Sequence, residues 1–163
     1  INVKSIEFLD KERTFLLSTT HGAEMSSLGA FVETIKFMKK KSVVKHIWSY
    51  GYNLQKMFKN LIKTYGLEEN FIIEGPACSP VYYLLNNEGK VSLELRTLFS
   101  QEMIKNKILM PFIALCYHHG EKELKLTENA LKKVFPILKK ALNHNIKDYL
   151  DGDIIKPVFR KYN

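Results

Sequence analysis

The chain has 163 residues, of which 45% are hydrophobic, and carries a formal net charge of +8. That length admits one domain with a real core, or the remnant of one domain joined to a second, and the apolar content excludes a disordered chain. No apolar run reaches the roughly eighteen residues of a membrane span, no signal-peptide pattern is present, and Cys78 and Cys116 lack metal-ligand spacing, so reduced thiols and a cytoplasmic setting are expected.

The first element in chain order is the apolar run Thr14-Phe15-Leu16-Leu17, which ends in Ser18-Thr19-Thr20-His21-Gly22-Ala23-Glu24. An amphipathic helix follows at once over residues 23–41, with Leu28, Phe31, Val32, Ile35 and Met38 at three- and four-residue steps. A second helix is predicted from Val43 to Tyr65, its apolar stripe formed by Val44, Ile47, Trp48, Leu54, Met57, Phe58, Leu61 and Ile62. Gly66 is its expected C-cap. Gly51 lies inside this pattern at a cost of roughly 1 kcal/mol relative to alanine, which points to a close packing contact there.

After Gly66 the texture changes. Phe71-Ile72-Ile73 and Val81-Tyr82-Tyr83-Leu84-Leu85 read as strands punctuated by Gly75-Pro76 and Ser79-Pro80, with a turn at Asn86-Asn87-Glu88-Gly89. Tyr82 and Tyr83 alternate faces, so one of them should pack in the core. A helix capped by Ser92 is expected to Asn106, with Leu95, Leu98, Phe99 and Ile104 inward. Pro111 to Tyr117 reads as a buried strand, which would make Cys116 a small core residue. From Glu121 to about Asn145 the pattern is helical, with Leu124, Leu131, Val134, Phe135, Leu138 and Leu142 inward and Glu121 and Glu123 at the positive end of the dipole. Pro136 should kink or break that helix. Strands alternating with helices make the fold class α/β, a small sheet layer with helices on one face.

The basic balance invites an anionic partner. Lys36, Lys39, Lys40, Lys41, Lys139 and Lys140, however, fall on or beside the polar faces of predicted helices, and the aromatics fall at core spacing with no stacking platform. Neither a nucleic-acid nor a membrane surface is expected. The junction at Thr20 carries more chemistry. Hydroxyls and a glycine delivered into a helix start offer side-chain donors, backbone N–H groups and a favourable dipole to an anion such as phosphate. The same residues also suit ordinary N-capping, and the local pattern leaves both readings open. His118 and His119 are adjacent on a predicted strand end, point to opposite faces and do not form a metal site.

The run Arg13-Thr-Phe-Leu-Leu-Ser-Thr-Thr-His-Gly-Ala-Glu, followed by a long helix, resembles the segment just after the catalytic lysine in class-III pyridoxal-phosphate aminotransferases. It is most similar to the glutamate-1-semialdehyde aminomutase-like branch. The resemblance continues through Arg96-Thr-Leu-Phe-Ser-Gln-Glu-Met-Ile-Lys-Asn-Lys-Ile-Leu and Ala114-Leu-Cys-Tyr-His-His-Gly-Glu-Lys-Glu-Leu, and the ending Lys156-Pro-Val-Phe-Arg160 is similar to an ordered strap in that branch. It implies the end of a fold-type-I large domain over residues 1–41 and a C-terminal small α/β domain with its linking helix over residues 42–163. It also implies pyridoxal 5'-phosphate as cofactor, with Thr20 donating to its phosphate across a homodimer interface and Thr19 and Gly22 as weaker contacts. His21 would then sit near the phosphate or the subunit interface. Ala23 and Glu24 depart from the commoner Gly-Asn pair of the family turn.

The family's Schiff-base lysine lies upstream of the matched region, and Lys4 and Lys11 lack its flanking pattern, so no catalytic residue is expected within this chain. The chain is accordingly expected to be the C-terminal part of a larger enzyme that moves an amino group between small-molecule donor and acceptor. A glutamate-1-semialdehyde-like or amino-sugar substrate fits the same residues. The small domain would close over that substrate and exclude water. The alternative is a non-catalytic dimerisation or interaction domain that shares the fold.

Overall fold

The computed structural model describes residues 24–156. The chain divides into two compact units, Ile1–Lys41 and Ser42–Asn163.

In the first unit the described structure is helix α1 (Met25–Lys40). Glu24 occupies the N-cap without a side-chain cap bond, and the Ser27 hydroxyl donates to its Oε2 at 3.2 Å. A Glu33–Lys36 ion pair at 2.7 Å lies on its exposed surface. No residue of this helix is buried, and Leu28, Phe31 and Val32 of the expected stripe are exposed, Phe31 by 62%.

The second unit holds α2 (Val43–Thr64), β1 (Phe71–Glu74), β2 (Val81–Leu84), α3 (Leu93–Lys105), α4 (Glu121–Leu142) and a short 3-10 turn, Ile146–Tyr149. Each boundary has a local cause. Gly66, at φ +61°, takes the left-handed conformation that closes α2, and Leu67 N–H reaches back to the Ile62 carbonyl at 2.9 Å. The Lys139 ammonium from α4 donates to the Gly66 carbonyl, so this lysine is spent on a helix end instead of being fully solvated. Ser92 caps α3 through its hydroxyl, which accepts Leu95 N–H at 3.1 Å. Asn86 Oδ1 accepts the N–H groups of Glu88 and Lys90, holding the turn that Gly89 completes at φ +75°.

β1 and β2 form an antiparallel pair, Phe71 opposite Leu84 and Ile73 opposite Tyr82. This register puts Phe71, Ile73, Tyr82 and Leu84 on the face that meets the helices and leaves Val81 and Tyr83 exposed. Phe71 is the centre of the core. Its ring lies 5.8 Å from Phe58 of α2, 5.2 Å from Phe99 of α3 and 5.2 Å from Phe135 of α4, so one aromatic from each helix converges on one strand residue. The result is a mixed α/β unit.

Residues 111–117 form no strand: the segment bends at 111–112 and turns at 117, only Ile113 is buried, and it has no ladder partner. Side chains hold it in place of a ladder. The Tyr82 hydroxyl donates to the carbonyls of Met110 at 2.7 Å and Pro111 at 3.1 Å, and Arg96 Nη2 donates to Pro111 at 3.2 Å. Cys116 is therefore exposed, not a core residue. Ile104 is 56% exposed and Met103 is buried instead, because nine residues past Leu95 a helix has turned half a revolution. In α2 the buried stripe runs through Val43, Tyr50, Gly51, Leu54, Phe58, Leu61 and Ile62, while Val44 and Trp48 face outward. Pro136 does not break α4. The carbonyl it leaves unpaired, that of Lys132, accepts the Tyr65 hydroxyl at 3.2 Å.

The close contact expected at Gly51 is present. A Cβ there would stand 2.7 Å from the Ala77 carbonyl carbon and 2.8 Å from Leu115 Cδ1. The tail is held against α3 as far as it is described, Asp151 N–H on Gln101 Oε1 at 2.8 Å and Ile155 N–H on Thr97 Oγ1 at 3.0 Å. Residues 157–160 of the expected strap lie outside the described residues.

Candidate functional site

Thr19, Thr20 and Gly22, with His21 beside them, lie outside the described residues. What is described is the helix they precede. The first turn of α1 carries no acidic residue, and its N-cap side chain makes no cap bond. The N-cap is itself a carboxylate, Glu24, and its charge opposes an anion at that helix start.

The second unit contains a cleft of about 340 Å³ between α2, the segment after α3 and the start of α4. That volume lies at the small end of the range for small-molecule sites. Its apolar wall comes from Leu54, Ile108, Met110, Ile113 and Leu126, and its polar groups are Tyr50, Lys107, His119, Glu123 and Thr127. Lys107 reaches it from a left-handed backbone at φ +64°, the turn that ends α3.

An aromatic cluster fixes the rim. The Tyr50 ring stacks at 6.3 Å on His46 and lies 5.5 Å from His119, and His46 meets Tyr117 edge-on at 5.3 Å. His46 Nε2–H donates to the His119 carbonyl at 2.8 Å, and Cys116 N–H donates to His119 Nδ1 at 3.3 Å. The second bond requires His119 Nδ1 to be unprotonated. His118, one residue away, is exposed, with its ring 5.6 Å from Tyr117. Among the described residues no three His, Cys, Asp or Glu side chains are grouped to hold a metal ion.

Glu123 Oε2 accepts Gly120 N–H at 3.0 Å, closing the N-terminus of α4. That bond, first among its influences, lowers the Glu123 carboxyl below its ordinary range, so the cleft presents a carboxylate. Burial raises the Tyr50 phenol, and the charges of Glu123 and Cys116 push it the same way, so it stays a neutral donor.

Glu123 was legible in the sequence as a helix-start acid. Tyr50 and Lys107 were not. Tyr50 is separated from Leu54 by one helical turn, a spacing that would place it on the buried stripe, but the more hydrophobic Val44 and Trp48 drew the stripe to the wrong side.

Among the described residues no helix is long and apolar enough to cross a membrane. The chain matches no family model, and comparison with curated proteins and with solved structures returns no match.

Proposed function

We propose that this chain is the C-terminal portion of a pyridoxal-phosphate-dependent aminotransferase or aminomutase of the class-III type, acting on a glutamate-1-semialdehyde-like or amino-sugar substrate. The observation that carries the reading is the string Ser18-Thr19-Thr20-His21-Gly22, which precedes α1 in the sequence. The donor set fits a phosphate ester. Two hydroxyls are able to donate hydrogen bonds, Gly22 has no side chain to bar a close backbone approach, and the helix N-terminus attracts negative charge, an attraction that the Glu24 carboxylate offsets in part. Thr20 is the principal phosphate donor, with Thr19 and Gly22 N–H beside it. The cofactor, when bound, supplies the electron sink that labilises bonds at the amino carbon. The order of elements in residues 42–163, a long helix, a hairpin, a helix, an irregular connection and a second long helix, supports their assignment as the small domain of that enzyme. The group that forms the covalent link to the cofactor is assigned to the region upstream of this chain.

The test uses the full-length gene product. Replacing Thr20→Ala is expected to weaken pyridoxal-phosphate retention by about tenfold, the effect of deleting one hydrogen bond to a charged group. Equilibrium dialysis followed by the cofactor's visible absorbance measures it. Unchanged affinity removes Thr20 from the site; a full-length product with no cofactor absorbance at all favours the non-catalytic interaction domain.

A further inference from the structure

We infer that the second unit carries a separate binding site for a small aromatic carboxylate, centred on Arg96. A cleft of about 290 Å³ lies between the β1–β2 connection, β2, α3 and the segment after α3, and Arg96 is on its wall. This is the one arginine among the described residues. Four observations converge on it.

First, the guanidinium is positioned. Arg96 Nη2 donates to the Pro111 carbonyl at 3.2 Å, a single bond that tethers the group to the cleft wall and leaves the remaining donors of the fork unspent. Second, its charge has no counter-ion, since none of the ion pairs of the described residues includes it and no acidic residue lines the cleft. Third, the wall behind it is rigid. Tyr82 locks the same segment by donating to the Met110 and Pro111 carbonyls, and Pro80 and Pro111 restrict the backbone on either side. Fourth, the rim is apolar and open: Phe112 is 68% exposed and Tyr83 and Val81 are each 42% exposed, all lining the cleft.

A planar cation with a free fork selects a carboxylate, which it holds through two parallel hydrogen bonds. Exposed aromatic and aliphatic faces beside it select a flat apolar body, because covering them removes apolar surface from water. Together they specify a carboxylate attached directly to an aromatic or similarly flat apolar group. Tyr82 is not part of the recognition. Its hydroxyl is committed to backbone carbonyls, and burial raises its pKa against the opposing influence of Arg96, so it remains a neutral structural donor.

The experiment titrates the full 163-residue chain with benzoate, benzamide and inorganic phosphate by calorimetry, with the ¹⁵N signal of the Arg96 side chain followed in parallel. Benzoate is expected to bind saturably and to shift that signal. Benzamide, which keeps the ring and loses the charge, and Arg96→Gln should each weaken binding by about tenfold or more, as expected for loss of a charge-assisted pair. Phe112→Ala should weaken benzoate several-fold without altering the Arg96 signal of the free protein. Circular dichroism of Arg96→Gln checks folding, and Arg96→Lys, which keeps the charge without the fork, should lie between Gln and the parent. Equal benzoate affinity in the parent and a folded Arg96→Gln overturns the proposal. So does benzamide binding as well as benzoate, or phosphate binding more tightly than benzoate.

Discussion

Tyr65 and Pro136 are joined by a deficit and its remedy. Pro136 has no N–H to give the Lys132 carbonyl, which in an unbroken helix would be bonded four residues on; the Tyr65 hydroxyl, arriving from the end of α2, makes that bond at 3.2 Å. The Tyr65 ring also packs edge-on at 6.1 Å against Phe135, so the phenol is placed by the core and not by chance contact. Tyr65→Phe is therefore expected to destabilise the protein by about 1 kcal/mol, the typical worth of one intramolecular hydrogen bond. In a Pro136→Ala background, where the amide at 136 restores the helical bond, the same change should cost clearly less. Urea unfolding of the four proteins of this cycle measures the coupling, and equal costs in both backgrounds would show that the hydroxyl does not answer the proline. The sequence exposed only half of this. Pro136 announced a missing donor, but nothing in the order of residues connects it to a tyrosine 71 positions earlier, as the two sequence numbers show. Gly51 was more readable, because a glycine inside a helix has a cost that something must offset, and the Ala77 backbone is what it admits.

At the scale of elements, helices were legible and the extended segments less so. Periodicity located all four helices, and in α4 Leu131, Val134, Phe135, Leu138 and Leu142 repeat the core-facing side turn by turn, whereas the stripe that located α1 buries no residue. The hairpin was marked by its proline and glycine punctuation. Residues 111–117 misled because an apolar run satisfies the composition of a buried strand whether or not a neighbouring strand is available to pair with it. Here β2 bonds to β1, and the segment is anchored by Tyr82 and Arg96 instead, a solution made of long-range side-chain bonds that local sequence does not encode. The start of α4 supports a pH prediction. Glu123 has its folded-state pKa held below the unfolded value, chiefly by Gly120 N–H, so it favours folding above the unfolded pKa of about 4.5, and that contribution disappears as pH falls through the folded value. Glu123→Gln should make stability less steep with pH on the acid side of 4.5 while leaving the neutral-pH fold intact. Thermal melts from neutral to acid pH for both proteins check it; an unchanged acid slope would show that the carboxylate is not what closes the helix.

For the molecule as a whole, charge and core are distributed unevenly, and this bears on what each part can do alone. α2 contains Lys45, Lys56, Lys59 and Lys63 and no acidic residue, so its outer face is a strip of solvated positive charge over a buried inner face. Among the described residues the continuous core, from Tyr50 and Leu54 of α2 to Ala141 and Leu142 of α4, lies within the second unit. The described part of the other unit is a helix with no buried residue, so its apolar stripe contributes amphipathic pattern without core. That contrast explains why the proposed phosphate turn was legible only as a motif: its chemistry depends on Thr19, Thr20 and Gly22, whereas the fold physics accessible to periodicity belongs to the second unit. It also sets a strong expectation. A chain of about 120 residues with one closed core is large enough to stabilise itself, by roughly 5–15 kcal/mol for a typical domain. Residues 42–163 expressed alone should unfold in urea as one cooperative transition, with circular dichroism and aromatic fluorescence coincident. Because the Phe71 hub joins α2, α3, α4 and the hairpin, no element can leave without opening the others, and Phe71→Ala in that shortened chain should cost about 3–5 kcal/mol. Two separated transitions in the shortened parent would instead mean that the helices and the hairpin are held by something outside residues 42–163.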